Sequence, residues 1–377
     1  MFSNAINSVS RPLKEDQMVK KLRNEAAGGL IAAALFFSGC VTDPDVSPPL
    51  SVYSDAVIRE YNGAVYILER TGADNIIRID ARSSEEELFI VESDFQSGLV
   101  ERYQLQSEKF IPVKKEQITY QYHFGVNWNP QDIAFLSSTR AYIAHADHAE
   151  ITVFNPDNGT VIDHIDIAPY TFMPDSNSSP YASDLELVGK DLYVLLQRRN
   201  GWNPGAPSLI LKIDTSNDEI TDTIACVFKN GFGMTHDNGV LYVSNPGDPY
   251  TNDDGAIEAI DLSTNDVRTV IEETELGGNP NQVVHKNGSR FYVQNYIGWQ
   301  MVSVVEIDGT DGSITATLDG VTDAYGGLYF DGKNNRLFVG ERSSENCGIL
   351  VFKDNVLTGS VIKSGSSLPP TGCVLIN

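Results

Sequence analysis

The chain has 377 residues, 41% of them hydrophobic, which is enough to bury a sizeable core. Its 51 Asp and Glu residues outnumber 27 Lys and Arg residues and give a formal net charge of −24. A surface this acidic repels phosphate backbones, so the composition argues against nucleic-acid binding.

Residues 1–39 carry the pattern of a secretory signal that is cleaved. Three basic residues precede an apolar run of small residues, 26–37, which is too short to span a membrane. The run ends in Phe-Ser-Gly-Cys, a tetrapeptide that resembles the lipobox of bacterial lipoproteins. The resemblance implies cleavage before Cys40, a lipid on this cysteine, and residues 40–52 as its tether. A secreted protein with a chance cysteine is the alternative.

The signal also predicts where the protein resides. An exported lipoprotein belongs to the cell envelope, and the lipid is its only expected link to a membrane. Val41 follows the lipidated cysteine where retention in the inner membrane is associated with Asp, so analogy favours the outer membrane. The periplasmic and the surface side both remain open.

From residue 131 to 362 the chain repeats one pattern five times: a short apolar strand, a turn, an aromatic-led strand, a loop and two further strands. The second strands begin at residues 141, 192, 241, 291 and 337, a spacing of 46 to 51 residues. A four-stranded unit that recurs every ~40–50 residues indicates a β-propeller. The sequence therefore predicts an all-β propeller domain over residues 53–377.

Polar turns separate the third and fourth strands of each repeat. The first is Asn155-Pro-Asp-Asn-Gly159, and similar clusters of Asp, Asn and Gly begin at 214, 261 and 308. Such clusters also suggest calcium loops. Their place between consecutive strands favours hairpin turns, in which Asn and Gly supply positive φ angles.

Seven strand-like segments precede the first clear repeat, at 56–60, 64–69, 75–80, 87–92, 99–106, 109–113 and 117–124. The segment 373–376 makes an eighth, so two further blades of four strands are expected and seven blades are favoured. The last strand would complete the first blade and close the ring without free edges. A six-bladed ring with 82–117 as an insertion is the alternative. Closure brings Cys373 to the rim that holds Cys347, which predicts a disulfide between them.

One rim of the predicted propeller concentrates unusual residues. Loops between strands two and three emerge there beside the connections between blades, and we call this side the loop rim. Arginines, aromatics and one histidine on an acidic protein suggest a binding surface for a polar or anionic group with planar or sugar-like parts. Long loops that merely cover the ring are the alternative reading. The candidate ligand-binding residues are Arg70, His145, Arg198, Arg199, Trp202, Tyr250, Tyr296, Trp299 and Arg342.

Catalytic and metal motifs are sparse. The sequence holds no Gly-x-Ser-x-Gly, no His-Glu-x-x-His and no Walker loop, so it predicts neither a catalytic set nor a cofactor. Asp132, Asp184 and Asn281 fall near the starts of first strands, where oxygen ligands could hold calcium. Satisfying backbone groups at the strand ends is the other role for such side chains.

The repeats resemble the bacterial surface propellers of the YVTN/YncE-like group. The matching segments are 129–134, 141–143, 151–159, 184–198 and 279–282. The resemblance covers about residues 55–377 and implies a propeller fold in an envelope binding or adhesion module. It supplies no catalytic residues, and fold analogy alone supplies no mechanism.

Two functions follow from these observations. The first is a non-catalytic envelope lipoprotein that binds a protein or glycan partner through the loop rim. The alternative is a metal-dependent hydrolase or lactonase of the six-bladed propeller type, with a cation held by the three candidate oxygen ligands.

Overall fold

The structure of the chain is a computed structural model built almost entirely from β-strands. It describes the strands within residues 52–123 and most of the chain from residue 128 onward. The described ranges are 52–59, 68–71, 76–82, 87–93, 98–104, 118–123, 128–173, 178–201, 203–251, 253–325, 327–343, 347–359, 361–362 and 370–376. Within these ranges no helix is long and apolar enough to cross a membrane. The predicted signal and Cys40 lie outside them.

The strands before residue 230 form three four-stranded antiparallel sheets and parts of two smaller ones. Strands β1 (Val52–Arg59) and β2 (Leu68–Thr71) come first. Sheet 1 contains β3 to β6: Ile76–Arg82, Glu87–Ser93, Gly98–Gln104 and Ile118–His123. Sheet 2 contains β7 to β10: Pro130–Ser137, Arg140–His145, Glu150–Asn155 and Thr160–Asp166. Sheet 3 contains β12, β13, β16 and β17: Ala182–Val188, Asp191–Leu196, Pro207–Asp214 and Glu219–Lys229.

Three more four-stranded sheets follow. Sheet 4 contains β18 to β21: Gly233–Asp237, Val240–Asn245, Ala256–Asp261 and Val267–Glu272. Sheet 5 contains β22 to β25: Asn279–Asn287, Arg290–Gly298, Met301–Asp308 and Ile314–Thr317. Sheet 6 contains β26 to β29: Leu328–Asp331, Arg336–Glu341, Gly348–Lys353 and Val356–Leu357.

The remaining elements are short, apart from the last strand. A small sheet on the loop rim joins β11 (Ser178–Ser179), β14 (Arg199–Asn200) and β15 (Asn203–Pro204). The chain also forms a 3-10 helix, Ala168–Tyr170, and a one-turn α-helix, α1, Glu273–Leu276. Strand β30, Pro370–Ile376, is the last.

The core consists of apolar layers between neighbouring sheets. Every residue after the first is buried in β8, β13, β19 and β27, because a second strand is covered on both faces by the adjoining sheets. Val153 and Tyr142 of sheet 2, for example, share one layer with Leu185 and Val194 of sheet 3. Each fully buried Val or Leu contributes roughly 1.5–3 kcal/mol. This burial explains why the second strands are the most regular part of the repeat.

The first strands of the sheets lie next to one another in chain order. β3 packs against β7, β7 against β12, β12 against β18, β18 against β22, and β22 against β26. Side chains also bind across these contacts: Leu185 N donates to Asp132 Oδ2 (2.8 Å), and Met234 N donates to Asp184 Oδ2 (2.6 Å). The first strands are therefore joined by polar bonds as well as by packing.

Hydroxyls of the aromatic-led second strands join the sheets on the opposite rim. Tyr142 of sheet 2 donates to Asp218 in the last hairpin of sheet 3 (2.8 Å), and Tyr292 of sheet 5 donates to Asn355 of sheet 6 (2.7 Å). Both tyrosines are buried along their rings. The tyrosine in the repeat thus packs in one layer and bonds to the next sheet.

The polar clusters between third and fourth strands are hairpin turns, as predicted. In each, the fifth residue has a positive φ, which Gly, Asn and Asp adopt most readily. The four residues are Gly159 (75°), Asp218 (60°), Asn265 (63°) and Gly312 (78°). Their N–H groups donate to the carbonyl four residues earlier and close the turn.

The C-terminal strand joins the N-terminal one. β30 pairs with β1 in parallel, and β1 pairs with β2 antiparallel, so the described part of this sheet has three strands where four were expected. β2 leads into β3 as each fourth strand leads into the next first strand. β2 therefore has the direction of a fourth strand, and β1 has the direction of a third strand. In an antiparallel sheet the third strand runs in the same direction as the first. A sheet that combines a first, a third and a fourth strand thus contains one parallel pair.

The segment 82–117 belongs in part to a regular sheet. β4 and β5 lie in it, and they pair with each other and with β3 and β6. The predicted strand 109–113 falls outside the described residues.

Candidate functional site

A small sheet gives part of the loop rim a fixed backbone. Arg199 of β14 pairs with Ser179 of β11 and with Pro204 of β15. A Cβ at Gly205 would lie 2.7 Å from both Arg198 O and Phe172 Cδ1, so only glycine allows the loop to close this tightly. The loop after β13 is therefore held in place from both sides.

Two arginines on the loop rim stack on tyrosines. The Arg199 guanidinium carbon lies 4.3 Å from the centroid of the Tyr181 ring, and that of Arg342 lies 4.5 Å from the Tyr325 ring. In both cases the arginine follows the second strand of a sheet and the tyrosine precedes the first strand of the same sheet. Such cation–π contacts are worth about 0.5–2 kcal/mol, more when desolvated.

The charges beside the two arginines differ. Arg342 Nη2 lies 3.1 Å from both oxygens of Asp323, a buried carboxylate. Arg199 interacts with Asp147 electrostatically, but Asn129 Nδ2 is the group that donates to this carboxylate (2.8 Å). Burial raises the pKa of Asp147, and the Asn129 bond and the Arg199 charge oppose that effect.

The two arginine–tyrosine pairs lie close enough for an ionised Tyr181 to raise the pKa of Tyr325. Tyr325 of sheet 6 interacts with Tyr181 of sheet 3, although these sheets are not neighbours in the chain order of contacts, and also with Tyr296 of sheet 5. Tyr296 in turn interacts with Tyr250 of sheet 4. Burial raises the pKa of Tyr181, Tyr296 and Tyr325, so all three phenols are protonated near neutral pH. We define the mouth cluster as Asp147, Tyr181, Arg199, Tyr296, Asp323, Tyr325 and Arg342.

Large apolar side chains stand exposed beside the mouth cluster. The β23–β24 hairpin presents Ile297, Trp299 and Met301 to solvent, with Trp299 62% exposed. Tyr250, in the loop after β19, is 66% exposed. Exposed aromatic and apolar side chains next to buried arginines are typical of recognition surfaces.

His145 lies inside the protein rather than on the rim surface. It is fully buried, its Nε2 is 2.8 Å from Thr152 Oγ1, and its ring contacts Trp128 edge-on at 5.0 Å. Trp128 stacks on His148 with 3.8 Å between ring centroids. Desolvation, with smaller effects of His148 and His164, lowers the pKa of His145 well below its usual value. This histidine is therefore neutral and part of the packing.

The other predicted rim residues are distributed as follows. Arg198 has a φ of 54° and places its guanidinium 5.9 Å from the Phe172 ring centroid. Arg70 lies in β2, and its side chain, like all of Trp202, is outside the described residues. Cys347 is buried, while the side chain of Cys373 is not described, so their disulfide stays a prediction.

The three candidate metal ligands are buried near the starts of first strands. Asp132 and Asp184 each accept a backbone N–H of the next sheet, and Asn281 lies in β22. Among the residues that the structure describes, no group of three or more His, Cys, Asp or Glu side chains is placed to hold a metal ion. The two carboxylates link neighbouring sheets through hydrogen bonds.

Buried glutamates hold the rim loops. Glu273 accepts the N–H groups of Asp254 (3.2 Å) and Gly255 (2.9 Å) and a bond from Asn279 Nδ2 (2.6 Å). Glu341 likewise accepts N–H groups of Thr322 and Asp323. Desolvation raises the pKa of Glu273 to about 7, although these hydrogen bonds oppose the shift.

Sequence reasoning found the two arginines and Tyr296 but missed their partners. Asp147, Tyr181, Asp323 and Tyr325 are the members of the mouth cluster that were not among the predicted site residues. A signal for them exists in the repeats, since both tyrosines come one to three residues before a first strand. Only the fold shows that they meet.

Comparison with known proteins supports the fold. No family model and no curated protein sequence matches the chain. Hydrazine synthase of Kuenenia stuttgartiensis has a similar structure, with a TM-score of 0.57 and 16% identity over 79% of this chain and 89% of that one. A protein of unknown function from Desulfotomaculum acetoxidans has a TM-score of 0.54 and 13% identity over 81% and 90% of the two chains. A nidogen/laminin complex structure matches with a TM-score of 0.48 and 13% identity over 76% and 96%.

The sheets and the first two of these likenesses define the fold class of the protein. The chain is an all-β protein with a β-propeller fold. At identities of 13–16% the comparisons speak for the fold alone.

Proposed function

We propose that this protein is a non-catalytic, lipid-anchored β-propeller of the bacterial cell envelope that binds a protein or glycan partner through its loop rim. The observation that carries the proposal is the mouth cluster with its exposed neighbours, Trp299 and Tyr250. Aromatic side chains and arginines dominate binding surfaces because they bury much area and bond strongly.

The proposed propeller has seven blades in a closed ring. Six four-stranded sheets and the sheet of β2, β1 and β30 account for seven, and β30 contacts both β26 of sheet 6 and β3 of sheet 1. The succession of first-strand contacts thus returns to its start, which supports closure by the C-terminal strand. The mouth cluster then lies at one end of the central channel.

The repeat motifs support membership of the YVTN/YncE-like group of envelope propellers. The Asn-Pro-Gln-Asp segment at 129–132 supplies two bonds found in the fold: Asp132 joins two sheets, and Asn129 holds Asp147. These motif residues thus have a structural role. This agrees with a family whose members share a fold rather than a set of catalytic residues.

The loop rim is tested by photo-crosslinking in intact cells. A benzoylphenylalanine residue replaces Trp299 on the rim or, as a control, Val356, which is 65% exposed on the outer strand of sheet 6. We expect adducts with a partner at position 299 that are at least several-fold more abundant than at 356. Equal yields at the two positions, or none at 299, would contradict binding through the rim.

The lipid anchor is tested by the Cys40→Ala variant. Each buried methylene of an acyl chain contributes roughly 0.8 kcal/mol to membrane binding, so two or more chains hold the protein stably. We expect the wild type in the membrane fraction with metabolic palmitate label, and the variant unlabelled. A variant that keeps the label would show that Cys40 is not the anchor.

The metal-dependent hydrolase is the less favoured function. Its proposed ligands Asp132 and Asp184 are occupied by backbone N–H groups at 2.8 and 2.6 Å. A carboxylate that accepts such a bond has fewer lone pairs left for a cation.

A further inference from the structure

Arg199 is a buried cation that forms no ion pair with any residue the structure describes. The residue is 5% exposed, and its Nε has no hydrogen-bond partner among the described residues. Its partners there are Tyr181, whose ring stacks on the guanidinium and whose hydroxyl hydrogen-bonds to it, and the longer-range charge of Asp147, whose carboxylate is bound by Asn129. Burying a charge without a close counter-ion costs several kcal/mol, and an anion bound to this guanidinium would offset part of that cost.

Arg342 has the same arrangement of arginine and tyrosine as Arg199, but there the protein itself supplies a carboxylate. It too stacks on a tyrosine that precedes a first strand, and its Nη2 binds both oxygens of Asp323. The two sites differ in the carboxylate that completes them. A ligand carboxylate at Arg199 would take the role that Asp323 has at Arg342.

The surroundings of Arg199 favour a sugar as the carrier of this carboxylate. An ionised Tyr181 or Tyr296 would raise the pKa of Tyr325, and an ionised Tyr250 that of Tyr296, so the four tyrosines lie in the same region of the rim. Tyrosine combines an apolar ring with a polar tip, which suits the apolar faces and hydroxyls of pyranose rings. The exposed Trp299 adds a further stacking surface.

We propose that Arg199 and Tyr181 form the anion-binding subsite of an acidic oligosaccharide, which places a uronic acid carboxylate on the Arg199 guanidinium and its other sugar rings along the tyrosines. The inference rests on the proposed function and names the ligand class of the loop rim. A planar guanidinium matches a carboxylate with two parallel hydrogen bonds, and the low polarity of its site strengthens them.

The first experiment compares ligands on the full-length protein in detergent. An array carries oligosaccharides that contain uronic acids, the same compounds after reduction of their carboxyl groups, and sulfated oligosaccharides. We expect binding to at least one uronic acid compound and at least a tenfold loss on its reduction. No binding to any acidic compound, binding unaffected by reduction, or a preference for sulfate would each overturn the inference. If no acidic oligosaccharide on the array binds while benzoylphenylalanine at position 299 still crosslinks to a protein, the proposed function stands and this ligand class is wrong.

The second experiment uses the two arginines as a matched pair. Arg199→Met removes the cation and should weaken binding of the uronic acid compound by about 10- to 100-fold, because charge-assisted bonds are lost. The thermal midpoint of the unliganded variant should stay level or rise, since an unmatched buried charge has gone. Arg342→Met removes the cation that pairs with the buried Asp323 carboxylate and should lower the thermal midpoint by several degrees. A lower midpoint with unchanged binding in Arg199→Met would show that Arg199 is a structural residue, and would overturn the assignment.

Discussion

Single buried acids organise the loop rim. Glu258, Glu273 and Glu341 each accept two backbone N–H groups of neighbouring segments. The N–H groups of a tight loop need acceptors when water is excluded, and one carboxylate satisfies two of them. In the sequence these acids look like ordinary solvent-exposed glutamates near strand ends, so nothing local identifies them.

Glu273 makes stability depend on pH. Its pKa in the folded state is about 7, against 4.5 for an unperturbed glutamate, so the folded state holds its proton more tightly than the unfolded state. The contribution to stability is complete below pH 4.5 and is lost as pH rises through about 7. We therefore expect Glu273→Gln, which mimics the protonated form, to gain about 3 kcal/mol relative to the wild type between pH 4.5 and 8. Chemical denaturation at a series of pH values measures this difference.

The control for this prediction is Glu275→Gln on the same helical turn. Glu275 is exposed, whereas Glu273 is fully buried. The control should track the wild type at every pH. If Glu273→Gln also runs parallel to the wild type, then the carboxyl does not titrate between pH 4.5 and 8, and the pH dependence has another source.

At the scale of elements, the first strands depend on their neighbours. Three kinds of side chain accept hydrogen bonds from backbone N–H groups of the next sheet. The carboxylates of Asp132 and Asp184 are the first kind. The hydroxyl of Thr235 accepts from His285 N, and the side-chain amide oxygen of Gln282 accepts from Leu328 N. A first strand pairs with only one strand of its own sheet, so the next sheet offers acceptors for its remaining N–H groups. This explains the polar residues that precede and begin these strands.

Substitutions of Asp184 test whether this side chain links two sheets or binds a metal ion. Asp184→Ala leaves Met234 N without this acceptor and should lower the free energy of unfolding by about 1–3 kcal/mol. Asp184→Asn keeps an acceptor oxygen and should recover most of the loss. Thermal melts with calcium and with a chelator complete the test. A calcium-dependent rise of the wild-type midpoint that Asp184→Ala abolishes would favour the metal role.

At the scale of the whole molecule, the chain ends depend on each other. The parallel pairing of β30 with β1 sets the last residues beside the first described strand, and β30 also contacts sheets 1 and 6. If the propeller is closed by this strand, as proposed, its loss exposes unpaired strand edges, which favours aggregation.

Deletion of residues 370–377 should therefore affect the entire domain. We expect a lower thermal midpoint and concentration-dependent association by light scattering, while a deletion confined to residue 377 behaves as the wild type. Addition of a peptide with the sequence 370–376 should partly restore the midpoint, because the strand position is then refilled. A monomeric truncated protein with an unchanged midpoint would argue against closure by β30.

The sequence predicted most of the scaffold because its signals are local. A repeated alternation of apolar strands and Asp/Asn/Gly turns indicates hairpins wherever it occurs, and the spacing of about 50 residues groups them into four-stranded sheets. Less regular segments were harder to predict. Strand β1 begins four residues before the predicted strand, and the parallel pairing of β1 with β30 is indicated by no local strand pattern. Parallel pairing depends on where two distant ends of the chain meet.

The sequence by itself determined the repeats, their turns and the predominance of acidic surface, since each follows from residues close together in the chain. The tertiary structure alone decided which polar residues meet at the loop rim. Tyr181 and Tyr325 are far apart in sequence, and only the stacking of the sheets between them brings their side chains into electrostatic range. The tertiary structure also shows that Arg342 forms an ion pair with Asp323, whereas Arg199 stacks on Tyr181. The sequence could not predict this difference, because an ion pair depends on distances that packing fixes to within a few tenths of an ångström.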